Sequence, residues 1–316
     1  MAIVGKDIQE AVRLLKENEV IGFPTETVYG LAGNAFEVAA VTKIFEVKNR
    51  PTFDPLIVHT SNFERINEFV SEIPAKAKLL AEHFMPGPLT LLLPKKASIS
   101  DLVTSGLDTV AVRIPKHPLA IELLQNIDFP LAAPSANPFG YISPTSAQHV
   151  DNQLGTKIKY ILDGGECSVG IESSIIGFFG NEAIIYRKGG LEIEAIEAII
   201  GKVKVEEHSS SNPKAPGMLK SHYAPRTPLL LSNYFNRNTK KNIGYLAFQT
   251  KHPDIPFENQ LVLSLNADLN EAAKNLFSFM RILDSMNFDF IYTELVPEIG
   301  LGRAINDRIK RATSQD

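Results

Sequence analysis

Short apolar runs alternate with segments of helical periodicity over the first two hundred residues. The apolar runs predict strands at 19–23, 55–58, 89–93, 109–114, 160–163, 173–178 and 183–187. Apolar positions three and four residues apart predict helices at 6–17, 37–47, 75–83, 117–125, 145–152 and 192–200. Strands that alternate with helices are typical of an α/β domain.

The composition changes at the polar, serine-rich run over 206–213, which is typical of a linker. We therefore predict a first domain over 1–205, a linker over 206–228 and a second domain over 229–316. The second domain has its own alternation and resembles a small Rossmann-like α/β sheet. Its predicted strands are 229–231, 243–248, 261–265 and 290–294, and its predicted helices are 269–286 and one that begins at Gly302.

The exit of the strand at 19–23 is unusually polar. Proline ends the strand at Pro24 and stiffens the chain. The next five positions hold four hydrogen-bonding side chains, namely Thr25, Glu26, Thr27 and Tyr29. A simple turn does not need so many donors and acceptors, whereas a ligand pocket at a strand end does. Glu26 could act as a general base or could accept hydrogen bonds from nearby backbone N–H groups.

A basic pair and a histidine follow within the same strand–helix–strand unit. The helix predicted at 37–47 leads into Lys48 and Arg50 and is stopped by Pro51. Cations at the C-terminus of a helix interact favourably with the helix dipole, and they could equally bind phosphate oxygens. The chain lacks the GxxxxGK[ST] pattern, so side chains of this kind would have to hold a triphosphate. The next strand ends at His59.

Arg113 lies on a predicted strand between apolar neighbours. Strand alternation places it on the same face as Thr109 and Ala111. A buried guanidinium needs compensation, because an unpaired buried charge costs several kcal/mol. Three outcomes are open: an edge position in water, an internal Asp or Glu partner, or a substrate carboxylate.

Another apolar strand runs into small polar residues between Pro134 and Pro138. If this segment is extended, Ser135 and Asn137 point the same way and suit recognition of a base or ribose, although turn chemistry alone also explains them. Ser143, followed by Pro144, fits the N-cap of the next helix.

Charge and cysteine content narrow the class of protein. The chain has 316 residues and a formal net charge of −4, so no overall basic field exists to hold nucleic acid. The single cysteine rules out an internal disulfide and fits a reducing compartment, and no Cys/His cluster has zinc spacing. No signal-like N-terminus or membrane-length apolar run is apparent, so we expect a cytoplasmic protein without membrane contact.

The order of the motifs Pro24–Leu31 and Lys48–His59 resembles the YrdC-like family, the L-threonylcarbamoyladenylate synthases. The similarity extends through Ser221–Pro225 to Leu301–Arg308, as in the long, two-domain members. The resemblance implies a YrdC-like twisted mixed sheet with helices, followed by a Rossmann-like domain. It also implies that the linker folds back over the active site as a lid.

The resemblance implies a nucleotidyltransferase whose substrates are L-threonine, bicarbonate or CO₂, and ATP with Mg²⁺. It would release pyrophosphate and pass L-threonylcarbamoyladenylate to a tRNA threonylcarbamoyl transferase complex, for modification of a tRNA adenosine (t6A). Direct binding of tRNA is expected to be weak. A non-catalytic, RNA-binding YrdC-like module is the main alternative, and transfer to a different carbamoyl acceptor is the second.

The resemblance also implies roles for individual residues; it assigns no dedicated metal ligand, and Asp54 would face the nucleotide or its metal. The catalytic residues would be Lys48 and Arg50. L-Threonine would be held by Thr27, His59, Arg113 and Ser173. The nucleotide would be framed by Arg50, Asp54, Thr109, Ala133, Ser135, Asn137, Ser143, Arg187 and Tyr223.

Overall fold

Two separate β-sheets organise the chain. The computed structural model describes residues 1–206, 213–219, 222–235 and 241–314. Within these ranges the first sheet has eleven strands and the second has four. Parts of the predicted linker, residues 207–212 and 220–221, lie outside the described residues. None of the described helices has the length and apolarity needed to cross a membrane.

The first sheet takes all its strands from the N-terminal two thirds of the chain. Its strands are β1 (Ile3–Gly5), β2 (Ile21–Phe23), β3 (Gly30–Asn34), β4 (Ile57–His59), β5 (Leu89–Pro94), β6 (Thr109–Arg113), β7 (Leu131–Ala132), β8 (Tyr160–Leu162), β9 (Ser174–Phe179), β10 (Glu182–Arg187) and β11 (Lys204–Val205). Its helices are α1 (Ile8–Lys16), α2 (Val38–Lys48), α3 (Ala75–Phe84), α4 (Asp101–Thr104), α5 (Pro118–Gln125), α6 (Ala147–Leu154) and α7 (Ile193–Ile200).

The strand order is β1-β8-β2-β3-β7-β4-β6-β5-β9-β10-β11, with both parallel and antiparallel neighbours. The predicted mixed α/β sheet is therefore confirmed. Each predicted strand and helix of this domain is present, with ends shifted by at most two residues. Three strands, β1, β3 and β11, are absent from the predictions.

The unpredicted strand β3 has the sequence GLAGN, which has low strand propensity. It is fully buried between β2 and β7 in the middle of the sheet. A Cβ atom at Gly33 would lie 3.2 Å from Val20 and 3.4 Å from the carbonyl oxygen of Ala40 in α2. Glycine thus permits close packing of α2 on the sheet, and this packing outweighs the weak local preference.

The central strands bring several predicted site residues close together. In the parallel pair of β4 and β6, His59 is opposite Arg113, and in the antiparallel pair of β4 and β7, His59 is opposite Leu131. The segment that follows β7 then leads directly to Ser135, which bridges to Gly30 at the start of β3. The ends of β4 and β6 therefore meet the start of β7, while the segment after β7 meets the start of β3.

The start of α6 differs from the prediction. Ser146, not Ser143, is the N-cap, and its side chain accepts a hydrogen bond from the N–H of His149. The prediction of Ser143 as an N-cap is therefore wrong. The helix begins later because Ser143 is fully buried and its hydroxyl donates to Glu172 instead.

The second sheet is entirely parallel, with the order β12-β15-β13-β14. Its elements are β12 (Leu229–Leu231), β13 (Ile243–Ala247), β14 (Gln260–Val262), β15 (Phe290–Thr293), α8 (Leu269–Ser285) and α9 (Gly302–Ala312). The strand predicted at 261–265 ends earlier, at Val262, because the chain then turns towards Asp268, the N-cap of α8. The first sheet ends at Val205 and the second begins at Leu229, while the exact domain boundaries stay a prediction.

The two sheets share a hydrophobic interface close to the polar strand exits. Val28, Ile142 and Ile171 of the first domain belong to the same buried cluster as Phe277 of α8 and Ile305 of α9. The second domain therefore packs directly against the loops that carry predicted site residues.

Candidate active site

A small cavity lined by many polar side chains lies between the central strands of the first sheet and the described part of the linker. Its volume is about 50 Å³. The residues that line it are Thr25, Val28, Gly30, Arg50, Pro55, Ile57, His59, Arg113, Ala133, Pro134, Ser135, Glu172, Arg187, Pro216, Gly217, His222 and Tyr223. Three arginines around so small a volume indicate a site for anionic groups.

Arg113 contacts a carboxylate, but not in hydrogen-bonding geometry. Its Nη2 lies 2.8 Å from Oε1 of Glu26, and both side chains are about 5% exposed. The approach is close yet misaligned, so neither Glu26 oxygen nor Nη2 of Arg113 has a hydrogen-bond partner among the described residues. Of the outcomes predicted for Arg113, the internal partner is the one observed. Of the two alternatives for Glu26, acceptance of backbone hydrogen bonds is not observed within the described ranges.

His59 lies beside this ion pair and is uncharged at neutral pH. It is 3% exposed, and its ring makes an edge contact with Phe23. Burial, and then the charge of Arg113, lower its pKa to about 3. Thr27, also predicted for threonine, is fully buried, with its hydroxyl 2.9 Å from that of Thr25.

Lys48 and Arg50 are held by protein groups at the end of α2. The Nζ atom of Lys48 donates to the carbonyl oxygens of Ser135 and Asn137. Arg50 pairs with Asp54 at 2.8 Å and also donates to the carbonyl of Pro55 at 2.9 Å. Burial, and then the charge of Arg50, lower the pKa of Lys48 well below its usual value. A phosphate beside this pair would offset that effect.

The segment that holds Ser135 and Asn137 is bent and not extended, so the condition under which their side chains would point the same way is not met. Ser135 lines the cavity, whereas the Asn137 amide donates to the carbonyls of Pro138 and Tyr141, at 2.8 Å each. The bend after Ser135 allows the carbonyl oxygens of Ser135 and Asn137 to accept hydrogen bonds from the same Lys48 ammonium group. Lys48 therefore fixes the position of this loop.

Ser173 and Arg187 form a second polar centre on the opposite wall. Arg187 donates from Nε to the Ser173 carbonyl and from Nη2 to its hydroxyl, at 3.0 Å each. The Ser173 hydroxyl also lies 2.7 Å from that of Thr90. Burial lowers the pKa of Arg187 to about 10, so it remains charged at neutral pH.

Glu172 connects this wall to the second domain. Its Oε1 accepts from the Ser143 hydroxyl at 2.5 Å, and its Oε2 accepts from Nε of Arg308 in α9 at 3.0 Å. Burial opposes the charged form of Glu172, but Arg308 and then Arg187 outweigh burial and lower its pKa.

The described part of the linker covers the cavity. Pro216, Gly217, His222 and Tyr223 all line it, and Tyr223 has a φ of 67°, which is unusual for a residue with a side chain. The Tyr223 ring stacks on Phe277 of α8, with ring centres 5.4 Å apart. Lys220 and Ser221, which belong to the same motif, lie outside the described residues.

Two family models together match nearly the whole chain. Residues 13–189 match the Sua5/YciO/YrdC model, described as telomere recombination, and residues 191–314 match the C-terminal domain of threonylcarbamoyl-AMP synthase. This chain belongs to the Sua5/YciO/YrdC family.

Relatives of this family resemble the chain over nearly its full length. The threonylcarbamoyl-AMP synthase of Pyrococcus abyssi is 39% identical over 97% of this chain and 94% of its own length. That of Bacillus subtilis is 40% identical over 96% and 92%. The crystal structure of P. abyssi Sua5 complexed with L-threonine has a TM-score of 0.91, with 37% identity over 99% of this chain and 97% of that one.

Half of the predicted site residues of this Sua5/YciO/YrdC member line the cavity. These are Arg50, His59, Arg113, Ala133, Ser135, Arg187 and Tyr223. The others do not reach its surface, namely Thr27, Lys48, Asp54, Thr109, Asn137, Ser143 and Ser173. Most of these contact a lining residue, but Thr109 begins β6, about 13 Å along the strand from Arg113. The predicted ligand roles of all these residues stay predictions.

The sequence predictions missed three residues at this site: Glu172, His222 and Arg308. Glu172 and His222 lie next to predicted residues, and their burial and polarity could have drawn attention to them. Arg308 carried no such signal, because it is far away in sequence and approaches from the other domain.

Proposed function

We propose that this chain is a threonylcarbamoyl-AMP synthase that joins L-threonine, bicarbonate or CO₂, and ATP, and releases pyrophosphate. The observation that carries the proposal is the full-length similarity to P. abyssi Sua5, whose crystal structure was solved in complex with L-threonine. The cavity suits these substrates, since it combines three arginines with buried polar strand exits.

The amino-acid substrate binds beside Arg113. Its carboxylate takes the place of Glu26 at the guanidinium, where the existing contact lacks hydrogen-bond geometry. An α-amino acid carries opposite charges, so its ammonium group can approach the displaced Glu26 carboxylate. His59, Thr27 and Ser173 surround the substrate, and the neutral His59 adds no second positive charge next to Arg113.

The nucleotide binds on the side of Arg50 and Arg187. Lys48 and Arg50 neutralise the triphosphate, which arrives with Mg²⁺, and Asp54 faces that metal or the nucleotide. Ala133, Ser135, Asn137, Ser143, Thr109 and Tyr223 frame the nucleotide. The family motifs support all of these assignments, and the lining of the cavity also supports those of Arg50, Ala133, Ser135, Arg187 and Tyr223.

The reaction needs positioning and charge neutralisation more than a protein nucleophile. The uncharged threonine amine attacks CO₂ and loses a proton, which gives a carbamate. A carbamate oxygen then bonds to the α-phosphorus as the bond to the β-phosphate bridging oxygen breaks, and pyrophosphate leaves with that electron pair. Holding both substrates in line supplies most of the acceleration.

The linker must move for the substrates to enter. Pockets for small molecules measure roughly 300–1,000 Å³, whereas this cavity measures about 50 Å³ with Pro216, Gly217, His222 and Tyr223 in place. A linker that closes again over the bound substrates excludes water from the reactive adenylate. The product then passes to a transferase that modifies a tRNA adenosine.

Pyrophosphate release from ATP tests the proposal. We expect release to require both L-threonine and bicarbonate, with L-threonylcarbamoyladenylate detected by mass spectrometry in equal amount. L-Serine in place of threonine, and carbamoyl phosphate in place of bicarbonate and threonine, are the matched controls and should give little product. Release that is independent of L-threonine would contradict the proposal.

A further inference from the structure

The second domain approaches residues that line the cavity through Phe277, Arg308 and Arg311, and Arg308 pairs with one of their carboxylates. Arg308, on α9, is fully buried. Its Nε donates to Glu172 at 3.0 Å, and its Nη1 donates to the Lys188 carbonyl at 2.6 Å and to Asp307 at 2.9 Å. Its guanidinium also lies 5.3 Å from the centre of the Tyr223 ring.

Burying an arginine and a glutamate together lowers stability unless each charge is compensated by the other and by hydrogen bonds. Removing two charges from water costs several kcal/mol per ion, and only good geometry and further hydrogen bonds offset that cost. Both Glu172 oxygens are hydrogen-bonded, one to Arg308 and the other to Ser143. Arg308 therefore fixes the orientation of a carboxylate that lines the cavity.

We propose that Arg308 is a positioning residue of the active site: it holds Glu172, Ser143 and Tyr223 in the arrangement that binds the nucleotide. The second domain is then part of the nucleotide site and not merely attached to it. This inference rests on the proposed function only for the identity of the nucleotide as ATP.

Loss of Arg308 should disturb the site in a specific way. Glu172 would become a buried carboxylate without its main partner, and Arg187 is the other cation whose charge lowers its pKa. Arg187 would be drawn from Ser173, to which it now donates twice. Removing the Glu172 charge as well should relieve this effect.

The same helix offers a matched control. Arg303 also connects α9 to the first domain, through Glu194 in α7, but the pair lies at the surface with side chains 31% and 49% exposed. Arg303 contacts no residue that lines the cavity. The variants R308M and R303M therefore remove the same type of side chain from the same helix, one inside the site and one outside it.

ATP affinity, measured by calorimetry on the full chain without threonine, tests the inference. We expect R308M to weaken ATP binding about tenfold, the range of energies that couple residues in contact. KM for ATP should rise likewise, while KM for threonine stays within about twofold. R308M/E172Q should recover part of the loss, R308K should be intermediate, and R303M should match the unaltered chain.

Two results would overturn the inference. One is an ATP affinity of R308M equal to that of R303M. The other is an equal loss of affinity for ATP and for threonine in R308M, with no recovery of ATP affinity in R308M/E172Q. If R308M does not fold, the ATP affinities of R308K and E172Q are compared with that of R303M instead. An unaltered chain that binds ATP but releases no pyrophosphate would contradict the proposed function alone. One that binds no ATP would contradict both.

Discussion

Two buried arginine–glutamate pairs flank the cavity, and they differ in how completely the carboxylate is hydrogen-bonded, whereas Nη2 of the arginine lacks a hydrogen-bond partner among the described residues in both. In the first, Arg113 approaches Glu26 within one domain, and neither carboxylate oxygen has a hydrogen-bond partner among the described residues. In the second, Arg308 meets Glu172 across the two domains, and both carboxylate oxygens accept hydrogen bonds.

The difference separates a binding role from a positioning role. A buried carboxylate without hydrogen bonds is rare and needs an explanation, and exchange for a substrate carboxylate supplies one at Arg113. A carboxylate bonded on both sides has little left to offer a ligand, so Glu172 serves to hold its neighbours. The two pairs should therefore respond differently to loss of the arginine.

The largest effect is expected for Arg113→Met. The substrate carboxylate would lose its partner, and truncating one member of a buried charge pair costs about 3 kcal/mol. We expect kcat/KM for L-threonine to fall about a hundredfold, while ATP affinity without threonine changes little. Pyrophosphate release at varied threonine and calorimetry with ATP measure the two effects.

The contrast with R308M is the control for this prediction, because that variant should affect ATP and spare threonine. If R113M kept threonine affinity within threefold, or lost ATP affinity to the same extent as R308M, the two pairs would not have separate roles. Comparable expression and unfolding midpoints for both variants would show that neither effect arises from misfolding.

A smaller effect concerns two buried histidines that line the cavity, His59 and His222. Burial and Arg113 lower the pKa of His59 to about 3, and burial and Arg311 lower that of His222 well below its usual value. The unfolded chain therefore takes up protons below about pH 6.5 that the folded chain does not. Stability is lost as the pH falls through this range, and the loss from His59 continues towards pH 3.

Variant His59→Gln should lose less stability in acid than the unaltered chain. For a shift from 6.5 to about 3, one histidine contributes about 2 kcal/mol to the loss between pH 7 and pH 5. Urea unfolding at the two pH values measures the difference. His83, which is exposed, gives the control variant H83Q, whose pH dependence should match that of the unaltered chain. Equal slopes for H59Q and H83Q would show that His59 is not the acid-sensitive group.

The sequence was a good guide to regular elements and a poorer guide to close packing. Strands and helices with clear periodicity, such as α8 with Leu276, Met280 and Leu283 on its buried face, were predicted almost to their ends. Strand β3 was missed because its glycines have low strand propensity and are selected by contact with α2. The true cap of α6 was missed because Ser143 is used by Glu172, which is distant in sequence.

The same limit of sequence-based prediction applies to the candidate active site. Sequence motifs predicted seven residues that line the cavity, and these residues lie at the ends of β4, β6 and β10, after β7, after α2 and in the linker. Nothing local indicated that Glu26 would pair with Arg113 or that Arg308 would enter from the second domain. Contacts of this kind depend on how the sheets pack, and periodicity carries no information about that.

The smallest effect is expected at the exposed pair of Arg303 and Glu194, which spans the same domain boundary as Arg308 and Glu172. Exposed ion pairs contribute about 0–1 kcal/mol because water and salt screen them. We expect R303M to lower the free energy of unfolding by about 0.5 kcal/mol or less, and this difference should vanish in 1 M salt. Urea unfolding of R303M and R308M at low and high salt makes the comparison.

A loss of more than about 2 kcal/mol in the free energy of unfolding of R303M would mean that surface charge holds the domains together. The weakened ATP binding expected of R308M would then reflect general loosening of the domain boundary. A loss confined to R308M and insensitive to salt would instead locate the coupling in the buried pair, because only buried charges escape screening.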